Sequence, residues 1–434
     1  MTGNKSVGVI EQLKKYKTAM DKVYYFFLAM VLFYERSPQT PLVADVVGFI
    51  GARLPQMSYD AAMLLFNSIM NLRLLIVIPA VYTIAVDMKT ARERISAVLL
   101  ILLGWFYVFY MREWNDSAVL IIAALITASY GKDFRKIIQY YAVIICGVIG
   151  LAFILNRLGI IPEDILERDG WARHSFGMNG PTALSGHLCF VLLLLCFYRN
   201  GKLLWQDYQL ITILTVLNIF FVDGKVAMLA VMLAMCGSLV CSIFREMKWT
   251  IPNGLMSVWR GLLCFSYVII GILCMIMTVT YSEENFALFN KIGFLATFEG
   301  RFRIPHQLME ELPFSLFGNF YVKYYYVMHT FDTGGEYLFI DSSYARMYLV
   351  YGITGFVLCL VLCTAMQARL LKEKMTYRMF VLAIAAVFFV VQIGILDPTY
   401  SIFLLVIWAV IVPKEGKEQL QPSVKEKPGT GEGV

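Results

Sequence analysis

The sequence predicts an all-α polytopic membrane protein with about twelve transmembrane helices. Only 16% of the 434 residues are charged, whereas soluble domains carry about 25%. Uniform apolar blocks recur along the chain, and a helix needs roughly 20 such residues to cross the hydrocarbon core. These blocks lack the alternation of apolar and polar residues that a membrane barrel requires. Helices are therefore the expected spanning elements.

Twelve apolar blocks mark the expected spans, and the fourth and twelfth are short enough to need tilt or help from flanking residues. They lie at 23–35, 61–86, 95–111, 117–130, 137–159, 182–198, 203–221, 226–244, 261–281, 342–366, 379–396 and 398–412. Residues 23–412 then form one membrane domain. Residues 1–22 are basic and lack a small-residue cleavage site, so we expect no removed signal peptide. The tail, 413–434, is polar and rich in Pro and Gly, which predicts disorder.

The distribution of Lys and Arg predicts the orientation. With the N-terminus in the cytoplasm, the cytoplasmic segments hold 24 of the 37 Lys and Arg residues, and the longer outer loops hold 10. Cytoplasmic loops of plasma-membrane proteins are enriched in these residues. An even number of spans then places both termini in the cytoplasm of a multi-pass plasma-membrane protein.

Two outer segments are long enough to carry function: residues 160–181, and residues 282–341 between spans nine and ten. The second is rich in Phe, Tyr, Leu and Gly and does not have a disordered composition. Its stretch "IPHQLMEEL" predicts a short helix that begins at Pro305. We expect a large folded extracytoplasmic loop.

Composition argues against several kinds of site. The nine cysteines fall in predicted spans with no CxxC or Cys/His metal spacing, which fits their use as small buried residues. No nucleotide-binding loop or Ser/His/Asp set is present. The net charge of +6 comes from basic residues between spans, which is not a nucleic-acid signal. We expect no metal, no cofactor and no nucleic-acid partner.

Four cations lie on the predicted outer face. Arg173 is in "RHSFGMNGP", Lys225 in "FFVDGKVAML", and Arg301 and Arg303 in "EGRFRIP". An Arg fork matches phosphate oxygens bidentately, and Lys acts as a point charge. Cations that converge from separate loops at one membrane face would suit a lipid-linked diphosphate. Solvation, or contact with lipid headgroups, is the alternative for each residue alone.

The motifs carry a resemblance that covers residues 170 to 360. "RHSFGMNGPTALSGHL", "DGKVAML", "EGRFRI…LFGNF" and "DSSYARMYLVYGITG" resemble, in order and spacing, the Wzy-type polymerases of the bacterial O-antigen polymerase and O-antigen ligase superfamily. The resemblance implies a GT-C-like membrane fold. It also implies transfer of a glycan from an undecaprenyl diphosphate carrier to another lipid-linked repeat unit.

The resemblance also implies roles for the cations, which would hold the carrier diphosphate. Arg173 matches the Arg of the first motif, and Arg301 matches the "GR" of the second. Lys225 stands where the family often has Arg after a Ser-rich turn. The first motif departs from the family at Gly180 and Thr182, where His and Asn are usual. That departure removes chemistry at those two positions and leaves the turn intact.

Three further residues have two interpretations each. Asp341 matches the position of a proposed base, and it is equally suited to be the N-cap of the following helix. Tyr344 shares its helix face and would either orient Asp341 or pack. Arg73 lies within the second span, where a charge is costly, and it is either functional or paired structurally.

The sequence therefore predicts a membrane-embedded glycosyltransferase that polymerises undecaprenyl-diphosphate-linked repeat units into capsular polysaccharide, exopolysaccharide or O-antigen. A ligase of the same superfamily, which moves a glycan to a different acceptor, is the nearest alternative. A lipid-linked oligosaccharide flippase or other transporter would instead line a central cavity with charges, and a structural scaffold is a further alternative. Expected partners are the lipid-linked oligosaccharide, membrane lipid, a flippase and chain-length regulators.

Overall fold

The structure, a computed structural model, describes residues 14–36, 68, 71–110, 117–168, 170–249, 251–291, 296–311, 314–319 and 340–411. The described part of the chain is dominated by helices. In chain order they are α1 (Lys17–Arg36), α2 (Val77–Tyr82), α3 (Ala91–Tyr110), α4 (Ala118–Ala128), α5 (Phe134–Arg157), α6 (Pro181–Arg199), α7 (Trp205–Leu217), α8 (Lys225–Glu246), α9 (Asn253–Cys264), α10 (Ser266–Val279), α11 (Glu283–Lys291), α12 (Ala296–Glu311), α13 (Ser343–Val350), α14 (Gly352–Lys372), α15 (Thr376–Phe388) and α16 (Pro398–Ser401).

Five described helices are long and apolar enough to cross a membrane: α3, α5, α6, α8 and α14. A sixth span results if α9 and α10, which bend by 54° around Phe265, are taken together. The membrane character of the chain is thus supported, and the all-α class describes most of it. Other predicted blocks form shorter apolar helices, such as α4 and α15, so the count of twelve spans stays a prediction.

The core includes the short apolar helices α4 and α15 together with much of the long helix α6. Every residue of α4 from Val119 to Ala128 is buried, although α4 alone is too short to span a bilayer. In each of the long helices α3, α5 and α8, only about a third or less of the most apolar 18-residue stretch is buried. Their remaining apolar side chains face outward, as lipid-facing surfaces do. The helix α6 is mostly buried and packs against α8 and α15.

A β-hairpin that was not predicted from the sequence precedes α6. Strand β1 (Ile165–Arg168) pairs antiparallel with β2 (Trp171–His174), with Leu166 opposite Arg173. Strand β2 contacts the π-helical turn Asn218–Val222 that follows α7. The hairpin therefore fixes Arg173 beside the start of α8.

The predicted outer loop contains two helices, α11 and α12, and its residues 320–339 lie outside the described residues. The prediction that a helix begins at Pro305 is wrong, because α12 begins at Ala296 and contains Pro305. Phe302 and Leu308, on either side of the proline, are both buried, and α12 packs against α10. This packing keeps the helix continuous across a residue that removes one helical hydrogen bond, to the carbonyl of Arg301.

The domain limits predicted at both ends remain predictions, because residues 1–13 and the tail 413–434 lie outside the described residues. The same holds for the aromatic stretch that follows Asn319 in the outer loop.

Candidate anion-binding cleft

One cleft collects residues from the hairpin, two helix starts, α12 and the end of α15. It encloses about 500 Å³ of empty space, counting the part that is open to solvent. Three of the four predicted cations, Arg173, Lys225 and Arg301, line it together. The complete lining is Arg173, Thr182, Ser185, Gly186, Asp223, Gly224, Lys225, Val226, Ala227, Arg301, Phe388, Val391 and Gln392.

Arg173 is the most buried of the three cations, with 11% of its side chain exposed. Its Nε donates a hydrogen bond to the carbonyl of Val222 at 3.0 Å. The same nitrogen lies 4.0 Å from a carboxylate oxygen of Asp223. The backbone bond orients the guanidinium toward the turn that begins α8, so a side chain on a distant hairpin contributes to the cleft.

Lys225 is the first residue of α8, and its half-exposed ammonium lies 3.5 Å from Asp223. The first residues of α8, through Ala227, line the cleft. Backbone N–H groups in the first turn of a helix have no partner within the helix, and the helix dipole favours an anion there. This end of α8 therefore adds positive potential to that of the three side chains.

The turn before α8 has an irregular backbone. A π-helical turn, Asn218–Val222, ends α7, and Asp223 follows with φ of 53° in the left-handed region. Gly224 comes next, and a Cβ at this position would overlap the hydroxyl of Ser185 on α6. Only glycine fits this contact, which lets α6 and the start of α8 approach closely.

Arg301 connects the cleft to Asp341. It lines the cleft from α12, and its Nη2 lies 2.7 Å from Oδ2 of Asp341. Burial raises the pKa of the Asp341 carboxyl, and the charge of Arg301 opposes that rise. Asp341 is not the N-cap of α13, because Ser342 occupies that position and accepts a hydrogen bond from the backbone N–H of Ala345. The carboxylate is therefore not used to cap a helix.

Arg303 lies two residues after Arg301 but does not line the cleft. Its Nε pairs with Glu299 at 3.1 Å, and Glu299 also accepts a hydrogen bond from the hydroxyl of Tyr281 at 2.6 Å. Residues two apart on a helix point in different directions. These contacts fasten α12 to the segment after α10, a structural use that differs from the diphosphate contact expected from the sequence.

Tyr344 and Arg73 also lie outside the lining of the cleft. Tyr344 is fully buried, and its hydroxyl donates to the carbonyl of Ala386 at 3.0 Å, which favours the packing role over orientation of Asp341. Arg73 is buried with its guanidinium 3.4 Å from the ring centroid of Tyr34, and it donates to Ser117 at 3.4 Å. These contacts favour the structural alternative for Arg73.

Asp223, Ser185 and Gln392 also line the cleft and were not predicted from the sequence. The dipeptide Asp-Gly before α8 is a turn signal that could have drawn attention to Asp223. Ser185 and Gln392 lie within apolar segments and give no local signal. Among the described residues, no group of three or more His, Cys, Asp or Glu side chains is arranged to hold a metal ion.

No family profile, curated protein or solved structure matches this chain. The cleft itself is therefore the basis for assigning a function.

Proposed function

We propose that the cleft binds the diphosphate of a polyprenyl-linked glycan, and that the protein transfers this glycan to another lipid-linked repeat unit. The observation that supports it most is the shared cleft of Arg173, Lys225 and Arg301, which come from three separate segments. Two guanidinium forks and an ammonium, beside a helix N-terminus, form a site for an anion with several oxygens. A diphosphate has that chemistry.

The cations also fit the chemical step. As the bond between the sugar C1 and the diphosphate oxygen breaks, the electron pair leaves with the diphosphate. Fixed positive charges that surround the leaving group stabilise this developing charge in the transition state. Because the leaving group already carries its electrons, the step needs no redox cofactor.

Asp341 is the proposed base. It would take the proton from the acceptor hydroxyl as that oxygen attacks C1, so that one glycosidic bond forms while the bond to the diphosphate breaks. Its burial and its raised pKa bring the carboxyl nearer to the range in which a base works at neutral pH. Arg301 links the proposed base to the cleft, because it contacts the carboxylate of Asp341 and also lines the cleft.

The proposed site is on the outer face of the plasma membrane. Helices α6 and α8 both begin at the cleft, and Arg199 and Arg245 lie in their last turns at the other end. Basic residues favour the cytoplasmic side of a span. We retain twelve spans, a folded outer loop and cytoplasmic termini as part of this proposal, together with a flippase and chain-length regulators as partners.

The nearest rival remains ligation of the glycan to a different acceptor, which the same cleft would support. A flippase is less well supported, because the cations of the cleft lie together at one end of α6 and α8.

The test uses the purified full-length protein in lipid nanodiscs, with undecaprenyl diphosphate carrying the native repeat unit. Polymerisation would appear as a ladder of lengthened glycans on a gel. We expect Arg301→Ala and Asp341→Asn each to reduce the ladder at least 100-fold. Arg303→Ala is the matched control, since it removes a cation from the same helix outside the cleft, and it should keep at least a third of the activity.

Three results would contradict the proposal. A folded wild-type protein that forms no ladder excludes polymerisation, and transfer to another acceptor or passage across the bilayer would identify the rival activity. A ladder that survives Asp341→Asn would remove Asp341 as the base. Equal losses in Arg301→Ala and Arg303→Ala would show that the cleft does not define the anion site.

A further inference from the structure

We infer that Asp223 recognises a hydrogen-bond donor, a hydroxyl or an amide N–H, on the first sugar attached to the diphosphate. This inference rests on the proposed function, because it needs a diphosphate-linked sugar in the cleft. It makes Asp223 a specificity-determining residue that distinguishes the glycan-bearing lipid from the bare carrier.

Asp223 is the carboxylate inside the cleft. It lines the cleft with Arg173, Lys225 and Arg301, whereas Asp341 contacts Arg301 without lining the cleft. A carboxylate among cations that bind an anion reduces the attraction for that anion. Its presence therefore suggests contact with a part of the ligand other than the phosphates.

The backbone at Asp223 is strained. Its φ of 53° lies in the left-handed region, where glycine is the preferred residue. Asp and Asn visit this region when their side chains make local hydrogen bonds. In the described part of the chain, the contacts of the Asp223 carboxylate are those with Arg173 and Lys225, at 4.0 and 3.5 Å. Local hydrogen bonds therefore do not explain why an aspartate occupies this left-handed position.

The carboxylate also keeps its capacity to accept hydrogen bonds. Both cation distances exceed the usual range for an N–H···O bond, about 2.7–3.2 Å. An ionised carboxylate accepts hydrogen bonds and donates none. A ligand group that satisfies it must therefore be a donor. The oxygens of an ionised diphosphate are acceptors, whereas sugar hydroxyls and acetamido N–H groups are donors.

The hydroxyl of Ser185 is a second polar group in the cleft that is able to form further hydrogen bonds. The Ser185 hydroxyl is buried, lines the cleft and has no hydrogen-bond partner among the described residues. The hydroxyl lies against Gly224, the residue between Asp223 and Lys225, since a Cβ on Gly224 would overlap it. Asp223 thus lies on the turn that begins α8, and Ser185 faces that turn from α6. This arrangement suits a sugar bound directly beside its phosphate.

The test measures binding, not turnover. Full-length protein in nanodiscs is titrated with undecaprenyl diphosphate and with the same lipid carrying the native repeat unit. We expect the wild type to bind the glycan-bearing lipid at least 10-fold more tightly, as one charge-assisted hydrogen bond allows. Asp223→Asn and Asp223→Gly should reduce that ratio to about 1–2, with unchanged or tighter binding of the bare lipid because a negative charge is removed.

Two variants keep the test independent of folding. Asp223→Gly removes the side chain from a left-handed position, so its thermal midpoint should equal or exceed that of the wild type. Glu167→Gln, an exposed carboxylate of the hairpin outside the cleft, is the matched control and should keep the wild-type ratio.

The outcomes separate this inference from the proposed function. If both Asp223 variants weaken the two lipids by the same factor, Asp223 only positions the cations and the inference is overturned. A wild-type ratio in both variants overturns it as well. If the wild-type protein forms the polymer ladder while the Asp223 variants give either of these results, the proposed polymerisation still stands. Conversely, an Asp223-dependent ratio in a protein that makes no polymer supports sugar recognition and overturns polymerisation.

Discussion

The guanidinium of Arg301 lies 2.7 Å from the carboxylate of Asp341, so one cation both faces the cleft and compensates the acid beside it. An anion that binds in the cleft competes with Asp341 for this guanidinium. Arg301 thereby couples occupancy of the anion site to the electrostatic environment of the proposed base.

The pH dependence of elongation should report Asp341. Burial raises its pKa, and Arg301 offsets only part of that rise. The acidic limb of the rate should therefore lie above the ordinary aspartate value of about 3.9. Elongation rates between pH 4 and pH 8, with circular dichroism to confirm folding at each pH, would measure it. A limb at or below the ordinary value would contradict the assignment.

The raised pKa of Asp341 also determines how its contribution to stability changes with pH. A native carboxyl with a raised pKa binds its proton more tightly than the unfolded chain does, so its contribution is full below the unfolded pKa and is lost as pH rises through the native pKa. Asp341→Asn cannot ionise. The free energy of unfolding of this variant, relative to that of the wild type, should therefore increase as pH rises through this window. Chemical denaturation at several pH values would check this.

Gly224→Ala should destabilise the fold by about 1–3 kcal/mol, because the new Cβ would overlap Ser185 where α6 meets the start of α8. Thermal unfolding in detergent would measure the loss. Gly261→Ala in α9 is the control, since a Cβ there meets nothing within 4 Å and alanine favours a helix. Equal midpoints for the two variants would show that the close contact is not needed.

Tyr344→Phe tests whether this tyrosine packs or acts on Asp341. The variant loses the hydrogen bond to Ala386 and keeps the buried ring, so we expect a loss of about 1 kcal/mol in stability. The pH profile of elongation should stay unchanged. A shifted acidic limb in this variant would show that the hydroxyl influences Asp341 after all.

Lys132→Met tests a buried cation that lies outside the cleft. Lys132 is buried, pairs with Asp21 and lies 3.9 Å from Asp87. Removal of the cation takes a partner from Asp21, which is 37% exposed, and from Asp87, which keeps its pair with Lys17 at 3.0 Å. We therefore expect a cost of about 1–3 kcal/mol, less than for a fully buried pair. Arg369→Met breaks a more exposed pair with Glu373 and should cost less than about 1 kcal/mol. Chemical denaturation of both variants would test the contrast.

The sequence placed Arg173, Lys225, Arg301 and Arg303 together on one predicted membrane face, and the first three line one cleft. It did not separate Arg301 from Arg303. Both are arginines in one short motif, and only the rotation of α12 against α10 decides which of them meets the cleft. That rotation depends on packing between distant segments, which no local pattern encodes.

The irregular elements were also beyond the sequence pattern. The hairpin around Arg173 is short and has exposed apolar residues, so it lacks the alternation that marks a half-buried strand. The continuation of α12 through Pro305 reverses a rule that usually ends helices. In both places tertiary contacts outweigh the local preference.

The composition of the cleft has a consequence for biosynthesis. Its lining runs from Arg173 to Gln392, so the last contributing segment is made only after nearly all of the chain has been inserted. A nascent chain halted after α8 would display Arg173 and Lys225 without Arg301 or the wall formed by Val391. Under the proposed function, the site for the carrier diphosphate would thus become complete only late in synthesis.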